Sequence, residues 1–246
     1  MTPTLVPHHP ARDWAEIQER MLVPLYEAVY ERLDVGPGSR VLGLGCGSGL
    51  ALLMAAGRGA HVAGLDRDHA RVALARERLP EASLSTTEVP EGGPYDVITA
   101  FHAAAGLGEE PAAITRSAER GAAFVLAGWG PANRCATTSV LRVAARLTGW
   151  RRRPDRPARP RDLEDAAAAA GLRAESSGQV ACPFGYADRD SAVRGLMSTG
   201  AFDAAVGATD QDQVEKELLE ALEPYARPDG TVWMPNVFRY VIARCP

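Results

Sequence analysis

Along this chain the apolar positions recur first at helical spacing and then in short strand-like runs, and the changes of period outline an ordered series of elements. Trp14, Ile17, Met21, Leu22, Leu25, Val29 and Leu33 predict an amphipathic helix from Trp14 to Leu33. Asp34-Val35-Gly36-Pro37-Gly38 predicts a turn. The apolar run Arg40 to Leu44 predicts a first strand, and the Ala- and Leu-rich stretch Leu50 to Ala56 a helix. A second strand, His61 to Leu65, ends at Asp66, and Asp68 reads as the cap of a helix that runs to Leu79 and is closed by Pro80. A third strand is expected near Ala82 to Ser85, a fourth at Tyr95 to Phe101 and a fifth at Ala122 to Ala127. Strands alternating with helices in this way predict a mostly parallel sheet with helices on both faces, an α/β fold.

Past Gly130 the pattern changes. Cys135 to Leu147 reads as a helix, and the Arg- and Pro-rich run Arg151 to Arg161 as an exposed, irregular loop. Leu163 to Ala170 predicts a helix ended by Gly171, and Arg173 to Cys182 a sixth strand. Helices follow near Ser191 to Met197 and Gln211 to Leu222, and Val232 to Ala243, rich in β-branched and aromatic residues, predicts a closing strand.

Composition narrows the functional classes. The 246 residues suit one large domain, and a hydrophobic fraction of 46% supplies a core. A net charge of -4, with no aromatic residues interleaved among the arginines, argues against nucleic acid as a partner. Cys46, Cys135, Cys182 and Cys245 are scattered without a CxxC pair, so neither a disulfide framework nor a metal site is indicated. No apolar run approaches the roughly 20 residues of a membrane helix, and the N-terminus shows no secretory pattern. A cytoplasmic protein acting on a small molecule is the expectation; nothing in the pattern specifies an oligomeric state.

The most informative stretch is Val41-Leu42-Gly43-Leu44-Gly45-Cys46-Gly47-Ser48-Gly49, set between a strand and a helix. Gly45, Gly47 and Gly49 allow the backbone to turn sharply and to approach a ligand with no Cβ in the way, and the helix that follows presents free amides suited to an anion. The spacing, GxGxG from Gly45, is tighter than the GxGxxG of dinucleotide sites and suits a compact aminoacyl carboxylate. Asp66 lies about 20 residues further on, where a carboxylate can accept both hydroxyls of a ribose.

These segments resemble class I S-adenosylmethionine-dependent methyltransferases of the small-molecule type found in quinone and natural-product biosynthesis. VLGLGCGSG resembles the family's glycine motif, VAGLDRD its second-strand motif and PYDVITAFHA its fourth-strand motif, while the ending VWMPNVFRYVIARCP resembles the final strands of actinobacterial members. The resemblance implies a Rossmann-like, seven-stranded, mostly parallel sheet whose last strand is antiparallel, with extra helical lid elements, in a single domain over residues 1–246. Residues 14–130 would form the cofactor half, and 131–246 the substrate lid and C-terminal strands. It implies S-adenosyl-L-methionine as cofactor, with S-adenosyl-L-homocysteine as product. Gly45, Cys46, Gly47 and Gly49 would hold the methionine carboxylate, Asp66 the ribose, and Arg67, Ser85 and Thr86 the adenine side. Phe101 and His102 would line the methyl end. The chain departs from the family at two positions: Gly43 stands where an acidic residue is usual, and Ser85 where an aspartate usually meets the adenine amine.

Methyl transfer from a sulfonium needs alignment and desolvation, with a general base where the acceptor must lose a proton. His102, just past the fourth strand, is the candidate base, its ordinary pKa suiting that role. O-methylation of a small, hydrophobic metabolite in secondary metabolism, as in antibiotic biosynthesis, is the leading expectation. The alternative is a cyclase or pericyclase, or another non-methylating enzyme on the same fold, that retains S-adenosylmethionine and uses its charge. A non-catalytic binding protein and a nicotinamide-dependent oxidoreductase rank below these. Trp129, Phe184, Tyr186, Met197, Phe202, Tyr225, Trp233 and Met234 are expected to pack the core, with some of them lining an acceptor pocket.

Overall fold

The computed structural model describes residues 10–101, 111–149 and 161–244. Among them nine strands form: β1 Arg40–Leu44, β2 His61–Leu65, β3 Ser83–Ser85, β4 Tyr95–Ala100, β5 Ala118–Trp129, β6 Arg173–Ala181, β7 Phe184–Tyr186, β8 Val232–Met234 and β9 Val237–Arg244. Seven join one sheet in the order β3-β2-β1-β4-β5-β9-β6, while β7 and β8 pair with each other. Pairing is parallel from β3 through β5, and β9 enters antiparallel between β5 and β6. The expected seven-stranded α/β sheet with an antiparallel last strand is formed.

Side chains on successive strand residues point to opposite faces, and here both faces are buried. Val41, Val97, Ala123, Val125 and Ile242 belong to one apolar cluster; Leu42, Leu44, Ile98, Phe124, Leu126 and Ala243 belong to the other. The first cluster takes in Leu25, Tyr26, Val29 and Tyr30 from the helix Val23–Arg32, together with Leu52 and Ala55 from the helix Leu50–Ala56. The second is covered by Ala167 of the helix Asp162–Ala169 and by Leu172. Continuous apolar runs such as Ala122 to Ala127 are therefore what this sheet requires.

Four expectations need correction. The closing strand expected over Val232–Ala243 is two strands, because Pro235 has no amide to donate and pairing breaks there. The buried Asn236 fixes that break: its Oδ1 accepts from the Thr137 amide at 3.1 Å and its carbonyl from the Cys182 amide at 2.9 Å. The fifth strand runs from Ala118 to Trp129 rather than Ala122 to Ala127; Glu119, Arg120 and Gly121 at its start are exposed and carry no apolar signal. Helices Pro111–Arg116 and Asp203–Ala208 and strand β7 were not expected. Finally, the helix expected at Trp14–Leu33 starts at Pro10 and is irregular, loosening to a π-turn at Trp14–Gln18 and tightening to a 3₁₀ turn at Glu19–Leu22 before Val23–Arg32. Pro24, which lacks an amide, sits at the start of that last segment, and the irregular turns bury three polar side chains, Asp13, Gln18 and Glu19. Of the expected Arg151–Arg161 loop only Arg161 lies within the described residues, and no helix among the described residues is long and apolar enough to cross a membrane.

Candidate active site

The register brings the expected site residues to one edge of the sheet. Leu44 pairs with Leu65 and Leu65 with Ser85, so Gly45, Asp66 and Thr86 leave adjacent strands side by side. Thr99 pairs with Gly43, which carries Phe101 past the same edge. This is the carboxyl end of the parallel strands, where open α/β sheets bind ligands.

The loop Gly45–Gly49 is built by backbone bonds and one carboxylate. The amides of Gly45 and Cys46 both donate to the carbonyl of Leu65, at 2.8 and 3.1 Å. Asp66 accepts from the Gly47 amide through Oδ2 at 2.8 Å and from the Asp68 amide through Oδ1 at 2.9 Å. Asp66 thus orders the glycine loop and the start of the next turn while staying half-buried at the edge. Asp68 caps the helix His69–Arg78 by accepting from the amides of Ala70 and Arg71.

All three loop glycines have positive φ, +65° at Gly45, +57° at Gly47 and +84° at Gly49, yet their surroundings differ. Among the described residues, a Cβ on Gly45 would meet nothing within 4 Å, so it faces open space. A Cβ on Gly47 would lie 2.9 Å from Trp14 Nε1 and 3.1 Å from Glu19 Oε1, and one on Gly49 would lie 3.1 Å from the Ala75 Cβ. Gly47 therefore admits the N-terminal helical run, Gly49 admits the helix His69–Arg78, and Gly45 leaves an open cradle.

Glu19, which sequence reasoning missed, reaches this loop from the N-terminal run. It is 2% exposed. Its carboxylate accepts from the Ser48 hydroxyl, from the Leu50 amide at 3.4 Å and from Arg78 at 3.1 Å. Two donors at the head of the helix Leu50–Ala56, where the resemblance implied the methionine carboxylate, are thus engaged by the chain's own carboxylate. Burial pushes the Glu19 pKa above the usual carboxylate value, although Ser48, Arg78 and Leu50 pull the other way. A regular helical period gives no sign of this inward turn; the signal available was the bare Gly43 beside it.

The remaining expected residues are dispersed around the edge. Phe101 is buried, its ring 4.7 Å from that of Tyr26 and 5.9 Å from that of Tyr30. The Ser85 hydroxyl accepts from the amides of Thr87 and Glu88, both at 3.3 Å, which leaves its own O–H as a donor. Thr86 is half-buried and Arg67 exposed. Cys46 is buried, and desolvation, reinforced by the charges of Asp66 and Glu19, pushes its thiol up to about 12. His102 lies outside the described residues. Trp129, Phe184, Tyr186 and Phe238 pack ring on ring, so the first three serve the core, whereas Trp233 is exposed under Arg227.

The fold has many counterparts. A candidate methyltransferase from Bacillus halodurans C-125 shares 13% identity over 89% of this chain and 98% of its own, with a TM-score of 0.54. The [4+2]-cyclase SpnF shares 18% over 90% and 80%, at 0.53. An S-adenosylmethionine-dependent methyltransferase from Geobacter sulfurreducens, solved with S-adenosyl-L-homocysteine, shares 19% over 96% and 94%, at 0.50. At these identities the likeness is one of fold. No curated protein matches the chain. Residues 42–122, which span the glycine loop, Asp66 and Phe101, match the family described as a methyltransferase domain. Residues 42–122 thus match a methyltransferase-domain family, within a fold that the chain shares with solved class I methyltransferases.

Proposed function

We propose that this chain transfers the methyl group of S-adenosyl-L-methionine to an oxygen of a small, hydrophobic metabolite, as enzymes of natural-product biosynthesis do. The observation that carries the reading is the open space over Gly45, in a loop whose Gly47 is held by the Asp66 carboxylate and adjoined by the buried Glu19 carboxylate. A cofactor with a ribose at one end and an aminoacyl group at the other complements such a site. When bound, it supplies a methyl group already activated on a sulfonium; the protein's part is alignment and exclusion of water.

Each residue then has a task. Gly45 gives room for close approach, and Asp66, already fixed by the amides of Gly47 and Asp68, keeps lone pairs for ribose hydroxyls. Cys46, Gly47 and Gly49 hold the loop's shape, while Arg67, Thr86 and the Ser85 hydroxyl flank the adenine side. Phe101 closes the inner wall against Tyr26, and His102, the next residue along the chain, takes the acceptor's proton. Incubation of the chain with S-adenosyl-L-methionine and candidate hydroxylated metabolites, followed by mass spectrometry, tests the reading. A gain of one methyl with release of S-adenosyl-L-homocysteine supports it. A product of unchanged mass would replace methyl transfer by cyclase chemistry of the kind named for the [4+2]-cyclase SpnF.

A further inference from the structure

Glu19, paired with Arg78, keeps acceptor capacity that its described partners leave open. Its Oε2 takes the Ser48 hydroxyl and the Arg78 guanidinium, but Arg78 is shared with the carbonyls of Ser48 and Ala15, at 3.0 and 3.1 Å. Its Oε1 receives the single long contact from the Leu50 amide, at 3.4 Å. The upward displacement of its pKa, with burial outweighing all three partners, reports the same shortfall of donors. In the interior a further donor to a buried carboxylate is worth more than in water.

Beside Glu19 lies a cavity of about 10 Å³, lined also by Tyr26, Gly43, Gly45, Cys46, Thr99 and Phe101. That volume admits one water-sized group, and an ammonium group is of that size. Among the described lining residues Glu19 is the one formal charge, since burial keeps Tyr26 and Cys46 neutral. Gly45, whose Cβ position faces open space, is also part of the cavity wall. Residue 43 is crowded against Leu52: its Cβ would stand 3.1 Å from Leu52 Cδ2 and 3.4 Å from the Cys46 Cβ.

We infer that Glu19 receives the ammonium group of the cofactor's aminoacyl arm in this cavity, an assignment that rests on the cofactor reading above. The N-terminal helical run thereby supplies the carboxylate that the first strand, bare at Gly43, cannot.

The test is calorimetric titration of the full chain with S-adenosyl-L-homocysteine, with its des-amino analogue, and with 5′-methylthioadenosine, which lacks the whole aminoacyl arm. Wild-type protein is expected to prefer S-adenosyl-L-homocysteine over the des-amino analogue by about ten- to a hundredfold, the scale of a charge-assisted hydrogen bond. In Glu19→Gln that preference should fall to within about threefold, with affinity for 5′-methylthioadenosine unchanged. Equal affinities of wild-type protein for the amino and des-amino ligands overturn the assignment without any variant. So does a Glu19→Gln variant that weakens all three ligands alike, which would make Glu19 a support of the loop. Wild-type protein that binds none of the three overturns the cofactor reading itself.

Discussion

Gly45→Ala separates the demands of the ligand from those of the fold. The residue sits at φ +65°, so an alanine there carries left-handed strain of about 1–2 kcal/mol. Among the described residues nothing lies within 4 Å of the added methyl, so none of them adds a steric penalty in the free protein. For a chain of this length the expected fall in Tm is about 2–8 °C. The bound cofactor meets the same methyl in the cradle, and affinity for S-adenosyl-L-homocysteine is expected to drop more than tenfold, about 1.4 kcal/mol or more. Gly49→Ala is the control: its φ is +84°, and its methyl would press on the Ala75 Cβ at 3.1 Å and on Leu79 Cδ1 at 3.4 Å, adding about 1–3 kcal/mol of overpacking. Thermal denaturation without ligand should therefore rank Gly49→Ala as the less stable variant. Calorimetry, on the folded fraction, should rank Gly45→Ala as the weaker binder. Wild-type affinity in Gly45→Ala would refute the cradle.

Three further outcomes follow from the same geometry. Asp66→Ala removes the acceptor of two loop amides together with the proposed ribose partner, and should weaken S-adenosyl-L-homocysteine binding about ten- to a hundredfold by calorimetry; unchanged affinity would count decisively against the site. The Cys46 thiol, raised from 9.0 to about 12 in the fold, stays protonated at pH 8, so peptide mapping after alkylation should show it labelled far more slowly in native than in unfolded protein. The sign is that of a raised acid: the stability it contributes is full below pH 9 and is lost as the pH climbs toward 12. His102→Gln should lower turnover by roughly 10²- to 10⁴-fold and flatten the pH–rate profile around the ordinary histidine pKa, with cofactor affinity unchanged; near-normal turnover would leave His102 a positioning residue.

Local pattern was enough wherever burial and local period agree. β1, β2 and the helix Leu50–Ala56 form where their apolar runs begin and end, and Asp68 caps its helix as its side chain allows. Pattern failed where structure is made by polar or exposed residues. Exposed Glu119 and Arg120 carry no apolar signal although β5 begins at Ala118, which pairs with Tyr95, and the pause at Pro235-Asn236 is fixed by Asn236 bonds to Thr137 and Cys182, some 100 and 54 residues away along the chain. The three glycines looked equivalent in sequence, since each permits the same positive φ. Only the neighbours that fold against them, Trp14 and Glu19 for one and Ala75 for another, reveal that a single glycine faces open space. Glu19 was invisible for a related reason: a π-turn and a 3₁₀ turn move it off the face that a regular helix would give it.

The irregular N-terminal run also links the cofactor loop to the C-terminal half. Trp14 lies under the guanidinium of Arg71, 4.3 Å from the ring centre, and Arg71 donates to the carbonyl of Ser198 at 2.8 Å. Gln18 accepts from the buried Tyr186 hydroxyl at 2.9 Å, and the buried Asp13 carboxylate accepts from Arg194 Nε at 3.0 Å. Arg194 and Ser198 belong to or directly follow the helix Arg189–Met197, and Tyr186 to β7, so each contact ties residues beyond 130 to the segment that carries Glu19. Removing a partner from a buried ion pair costs about 3–5 kcal/mol, less here because Arg194 is partly exposed. A displacement of the Arg189–Met197 helix would therefore be felt at Glu19 within one helical run, and through Ser48 at the loop itself. Substitutions at Arg194 or Tyr186 are expected to disturb the segment that carries Glu19, although they lie some 150 residues from the glycine motif in sequence.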